Sequence, residues 1–292
     1  MKSKPKSDLS GYLYVLPATI FILIFALIPI IVCCVYSFHK YNLVQSMEFI
    51  GIENYIKMAD DPYIKAALKN TLIFTIVVVP IQTFLSMLIA ALIAAQKQNW
   101  WNGFVKSALF IPVISSMILV GTLWRIIYNP EVGLLNQFLS IFNLPTPNWL
   151  GSKDLALLSV CVVSIWKNVG YFMVIYIAAL MDIPRDLYEV ARVDGASGIQ
   201  QFLHITLPML KPITYLVITL GTIWSFQVFD LVYAMTGGGP GTSTVTLVST
   251  IYNAAFREYR MGYACAAAML LFVIILIVSF IQRKFLNPKD DI

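Results

Sequence analysis

The sequence predicts an all-α polytopic membrane protein with six transmembrane helices and both termini in the cytoplasm. Three observations predict it. The 292-residue chain is 59% hydrophobic and 12% charged, with a mean hydropathy of +0.78, whereas soluble domains carry about 25% charged residues. Its apolar residues gather into six stretches of the roughly 20 residues that a spanning helix needs. Lys and Arg are shared unequally between the segments joining those stretches.

The first stretch, about 12–38, follows Lys2, Lys4 and Lys6. Its apolar core is longer than the roughly 7–15 residues of a signal-peptide core, and no A-x-A-like site follows, so it reads as a retained span. The others run about 71–95, 107–127, 155–181, 212–235 and 264–282. With the N-terminus inside, eleven Lys and Arg are cytoplasmic, Lys97 and Lys289 among them, and seven are outside, while Arg125 and Lys167 fall within spans. Arg125, at the outer end of the third span, reads as snorkelling to the interface. The net charge of +5 therefore belongs to cytoplasmic loops and implies no nucleic-acid partner.

Cys33, Cys34, Cys161 and Cys265 all lie in apolar runs, without disulfide or zinc spacing. His39 and His204 fall in loops on opposite sides, so no metal site is expected. No nucleophile–base pair suggests catalysis.

The longest inner loop, 182–212, reads DIPRDLYEVARVDGASGIQQFLHITLPMLKP. Pro184 suits a first helical turn, and Asp186 and Glu189 suit the positive end of the helix dipole. Gly195 can take the left-handed conformation that ends a helix. A second short helix over about 196–203 exposes Gln200 and Gln201 and puts Ile199, Phe202 and Leu203 on one side. Pro208 and Pro212 turn the chain into the fifth span. A helix lying on lipid would carry Lys and Arg on its polar face. This one carries Gln and Ser, which fits docking to a protein better.

This loop resembles the EAA loop of ABC importer permeases: E-A-A, three residues, G, about nine residues, then I-x-L-P. Glu189-Val190-Ala191, Gly195, Ile205 and Leu207-Pro208 match it, with Val190 departing from the middle alanine. Leu187-Tyr188-Glu189 and Asp194-Gly195-Ala196 match the extended form of carbohydrate permeases. FIPVISSMILVGTLWRIIYNPEVGLLN (110–136), WKNVGYFMVIYIAALMDIP (166–184) and FDLVYAMTGGGPGTSTVTLVSTIY (229–252) are similar to the same family. The nearest subgroup is the sugar and glycerol-3-phosphate permeases, without the extra outer domain of the maltose type.

The resemblance implies a type I ABC importer permease fold over 67–283, with residues 1–38 forming the cytoplasmic N-terminus and first span. The coupling residues would be Glu189, Ala191, Asp194, Gly195, Ala196, Ile199, Phe202, Leu207 and Pro208. It implies a second permease, a cytoplasmic ATPase dimer that binds the ATP, an extracytoplasmic solute-binding protein, and a place in the bacterial cytoplasmic membrane. GGGPGTST (237–244) has no Lys before Ser or Thr, so it is no P-loop. It reads as a flexible outer loop, or as a docking surface for the binding protein. No cofactor of the chain's own is expected.

Polar groups within spans are costly and therefore candidates for function. Trp166, Lys167, Asn168 and Tyr171 lie mid-way along the fourth span. Trp224 and Gln227 lie in the fifth, at a similar depth. Rings and amides of this kind suit a sugar, and the resembled family builds its mid-membrane site from these two spans. Lys167 either meets substrate or pairs with Asp230. Pro80, Gln82, Thr83 and Ser86 in the second span read as helix packing.

A glycerol-3-phosphate permease would use Lys167 as its cation. An ion-coupled secondary transporter would need mid-span carboxylates, and Asp230 alone comes near.

Overall fold

The computed structural model describes residues 9–44, 46–95 and 100–286. Lys2, Lys4, Lys6, Lys97 and Lys289, part of the charge bias above, lie outside the described residues. The chain divides into two compact units, one of residues 1–60 and 251–270, the other of 61–250 and 271–292.

In the first unit, α1 (Leu9–Ile22) and α2 (Ile28–Ser37) make one span through a π turn at Leu23–Leu27. The Ile28 N–H there bonds the Leu23 carbonyl, one residue beyond α-helical register. Pro29 follows, and the shift absorbs its missing N–H. Beyond this span a short antiparallel hairpin pairs β1 (His39–Lys40) with β2 (Glu48–Phe49). α3 (Glu53–Asp60) comes next. Its buried Asn54 donates to the carbonyls of Ser37 (2.8 Å) and His39 (3.0 Å), fastening the hairpin to the span end. The last helix, Met261–Leu286, begins in this unit, and a side chain at Gly262 would strike the His39 carbonyl.

The second unit opens with α4 (Pro62–Ala95), which starts well before the apolar stretch does. The third span is not the continuous helix expected over 107–127. It is α5 (Trp100–Ile114) and α6 (Met117–Ile127), bent by 104°. Pro112 weakens the helix, and Ser116 adopts an extended conformation and caps α6, its Oγ accepting from the Leu119 N–H at 3.2 Å. After α7 (Leu134–Ile141) comes α8 (Ala156–Met181), the most buried span.

The cytoplasmic loop holds α9 (Arg185–Val193), α10 (Gly198–Gln201) and α11 (Leu207–Met209). The fifth span is α12 (Lys211–Phe226), meeting the preceding segment at 65°. It stops nine residues short of the expected end, because Phe229 leaves helical geometry and a separate α13 (Asp230–Met235) follows. α14 (Leu247–Tyr252) and the last helix, α15, complete the chain. Among the described residues, four helices are each long and apolar enough to cross a membrane, and counting each bent pair as one span gives six.

α8 is the axis of the second unit. Two clusters pack on it, one around Phe74, Val78, Val160 and Leu231, the other around Phe172, Met173, Tyr176 and Val217. Ser86 of α4 donates to the Gln82 carbonyl (2.6 Å) and reaches Val169 O (3.1 Å), while Gln82 is buried beside Gly221 of α12, so these groups do serve helix packing. Residues 237–244 form a hydrogen-bonded loop rather than the loose one expected. Buried Thr244 bonds Gly239 O (2.8 Å) and Thr236 Oγ1 (2.7 Å), and Asn70 donates to Thr242 O (2.8 Å) and Val245 O (3.0 Å).

Candidate functional site: the cytoplasmic knob and the mid-membrane aromatic pair

The knob is built from local bonds. Pro184 caps α9 in extended geometry, Asp186 lies in the first turn and Arg192 in the last, each at the favourable end of the dipole. Gly195 has φ +78. Its N–H bonds Arg192 O (3.1 Å), and the next N–H, of Ala196, bonds Ala191 O (2.8 Å). This is the paired-bond ending of a helix that needs a left-handed residue. Ser197 then starts α10 with a capping box. Its N–H donates to Gln200 Oε1 (2.7 Å), and its Oγ accepts from the Gln200 N–H (3.4 Å). Gln201, expected on the surface, is half-buried, and its amide donates to Ala196 O (3.0 Å). Tyr188 and Thr206 share a hydroxyl bond of 2.9 Å that ties α9 to the chain's exit.

The second helix is shorter than expected. α10 gives way to a π turn at Phe202–Thr206, where the Leu207 N–H bonds Phe202 O just before Pro208. The device is the one seen before Pro29. Glu189, Asp194, Gly195 and Pro208 are exposed, and Ala191, Ala196, Phe202 and Leu207 are half-buried. Several apolar side chains of the knob point outward, Val193 at 88% exposure and Ile199 at 74% the furthest. Between the helices lies a concavity of about 320 Å3 floored by Gly195 and Ala196 and edged by Asp194, Gln200 and His204.

At mid-membrane the structure divides the six candidates. Successive helical residues turn by about 100°, so neighbours cannot share one face. Trp166 is exposed and meets the Trp124 ring edge-on at 5.4 Å. Lys167 is buried and donates to Val113 O at 3.3 Å, at the break of the third span. Its pairing with Asp230 is not made, since its ammonium turns to this carbonyl and Asp230 opens α13 instead. Asn168 is buried and donates to Ser164 Oγ (3.4 Å) on its own helix. Tyr171, one turn further along that face, meets Trp224 with ring centroids 5.1 Å apart. Phe172 lies on the same indole at 5.4 Å. Gln227 caps the end of α12 and is exposed, one turn beyond Trp224. The tyrosine–tryptophan pair is thus brought together, while Trp166 and Lys167 face the third span. Phe172 and Trp124 were not singled out in the sequence, and only the packing brings them against Trp224 and Trp166.

The family model "Binding-protein-dependent transport system inner membrane component" matches residues 66–289. The chain belongs to this family. The permease is 38% identical over 283 residues to "Probable ABC transporter permease protein YurN" of Bacillus subtilis (strain 168), covering 96% of this chain and 97% of the relative. It is 33% identical over 284 residues to "Sulfoquinovosyl glycerol transport system permease protein SmoG" of Agrobacterium fabrum, covering 97% and 92%. Its fold matches a chain of a bacterial alginate ABC transporter, crystallised with a periplasmic protein carrying an alginate pentasaccharide. The TM-score is 0.85 at 24% identity, over 96% of this chain and 94% of that one. The permease is therefore a multi-pass protein of the cytoplasmic membrane with the type I importer permease fold.

Proposed function

We propose that the permease carries a sugar or oligosaccharide inward as one subunit of an ATP-driven importer, with a second permease, an ATPase dimer and a solute-binding protein. ATP would be bound by the partner ATPase. The observation that carries the reading is the knob. Its backbone is held by a glycine ending and a capping box, and it turns Val193 and Ile199 outward where a self-sufficient loop would bury them. Exposed apolar side chains on a rigid support where Asp186, Glu189 and Asp194 outnumber Arg185 and Arg192 favour a protein cleft over lipid.

The substrate class rests on two supports. The SmoG relative and the alginate transporter are named for carbohydrates. Tyr171 and Trp224 offer flat faces to sugar C–H groups, with Asn168 and Gln227 one turn away for hydroxyls. Lys167 is left with a structural role in this reading, which weakens the phosphate alternative.

One transport experiment tests both parts. Proline holds φ near −65° and cannot adopt the conformation of Gly195. Gly195→Pro and Glu189→Lys should abolish uptake by proteoliposomes holding the full importer, with normal amounts of permease in the membrane. Trp224→Ala should lower uptake about tenfold while ATPase binding stands. Normal uptake by the first two variants removes the coupling role, and normal uptake by the third removes the aromatic site.

A further inference from the structure

A cleft of about 740 Å3 opens within the first unit. It lies where the first span ends at Ser37 and the last helix begins at Met261, which is the extracytoplasmic side. Lys40 and Glu48 of the hairpin line one wall and Glu258, Tyr259 and Arg260 the other, over a floor of buried Tyr263. The volume falls within the roughly 300–1,000 Å3 of small-molecule sites.

Its polar groups are held in place. Arg260 Nη1 bonds Glu258 Oε2 at 3.2 Å, and the guanidinium carbon lies 4.1 Å from the centroid of the Tyr263 ring. Lys57, also in the lining, meets Glu53 at 2.7 Å. Tyr259 stands at the rim with φ +54, a left-handed conformation that a bulky residue avoids. It is kept there by its neighbours, the Glu258 N–H on Asn253 O (2.9 Å) and the Arg260 N–H on Ala254 O (2.8 Å). Backbone strain of this kind concentrates at binding sites.

The chemistry selects among ligands. An apolar ligand would want apolar walls. A polyanion would want a surplus of cations, but Lys40, Lys57 and Arg260 are offset by Glu48 and Glu258 in the lining and by Glu53, which meets Lys57. Donors and acceptors set side by side suit hydroxyl groups, which play both parts. Tyrosine faces suit the C–H side of a sugar ring.

We propose that this cleft is a second carbohydrate site, holding a neutral sugar on the extracytoplasmic face, apart from the mid-membrane aromatic pair. It rests on the carbohydrate reading above. The test uses the complete importer in nanodiscs without its solute-binding protein, in a Trp224→Ala background that removes the mid-membrane ring. Saturation-transfer NMR is recorded with trehalose, maltotriose and raffinose. Transfer to ring protons of at least one sugar is expected, falling at least fivefold in Tyr259→Gly and in Glu258→Gln. Glycine suits the left-handed backbone, so Tyr259→Gly keeps the fold and removes only the ring. No transfer from any of the three, or equal transfer in the variants, overturns the proposal. So does a loss of solute-binding-protein affinity with sugar transfer intact, which would make the cleft a docking surface. Uptake of the same sugars by the unmutated importer with its binding protein tests the carbohydrate reading separately: uptake without transfer sinks the cleft alone.

Discussion

Lys167 shows how one residue is reassigned by its surroundings. In sequence it is a mid-span cation beside Trp166 and Asn168, and so a candidate for substrate. In the fold its ammonium caps a carbonyl at the end of α5, where the helix has broken. An apolar environment leaves such a carbonyl costly, and a cation is the favoured partner at a helix C-terminus. Gly170, one turn along, lets α5 lie so close that an added methyl group would strike the Leu109 carbonyl. α8 thus supports the break by a side chain at one turn and by the lack of one at the next. A hydrogen bond to a charged group contributes about 1.5–3 kcal/mol. Lys167→Met should therefore raise amide hydrogen exchange at residues 117–119 about tenfold or more in the detergent-solubilised permease, and Lys167→Arg should restore most of the protection. Unchanged exchange in the Met variant would return Lys167 to the list of substrate residues.

At the scale of elements, the cytoplasmic loop is the part most legible in the sequence. Helix starts and stops are set by nearby atoms: a proline at the entry, a glycine at the turn, a serine three residues before a glutamine. All of these can be read along the chain. The proline and the glycine were read, while the Ser197 capping box, the half-buried Gln201 and the π turn at Phe202–Thr206, which answers to the missing N–H of Pro208, were missed. The capping box gives a direct check. Ser197→Ala removes the Oγ acceptor, which costs about 0.5–2 kcal/mol, so exchange at residues 199–201 should rise roughly threefold to thirtyfold. If protection there is unchanged, the knob is held mainly by the Tyr188–Thr206 bond. The third and fifth spans were less legible. Hydropathy counts apolar residues and is blind to direction, so Ser115-Ser116 passed inside a continuous run, although the chain turns by 104° there. Residues 230–235 were likewise joined to a helix that ends at Phe226.

For the whole molecule, the proposed role as one subunit of an importer predicts a dependence on partners. The Gly-rich segment at 237–244 lacks the lysine of a phosphate-binding loop and is folded around its own threonines. The purified permease alone should release no phosphate from ATP. Adding the second permease and the ATPase should restore hydrolysis, and adding the loaded solute-binding protein should stimulate it. Phosphate release by the lone polypeptide would contradict its role as a transport subunit.

Composition and spacing alone determined that this chain lies in a membrane, how many times it crosses and which way it points. These properties depend on transfer free energies and charge bias, both of which act on short stretches of chain. Only the tertiary structure decided which way each mid-span side chain faces. A polar residue in a span is equally costly wherever it points, so sequence marks it without giving its direction. Packing against α5, α6 and α12 then sent Trp166 to Trp124, Lys167 to a broken helix end, and Tyr171 to Trp224. The outer cleft belongs to the same class. Glu48 and Arg260 are more than two hundred residues apart in the chain and line one wall each only because the hairpin is fastened by Asn54 and Gly262 lets the last helix pass close to His39.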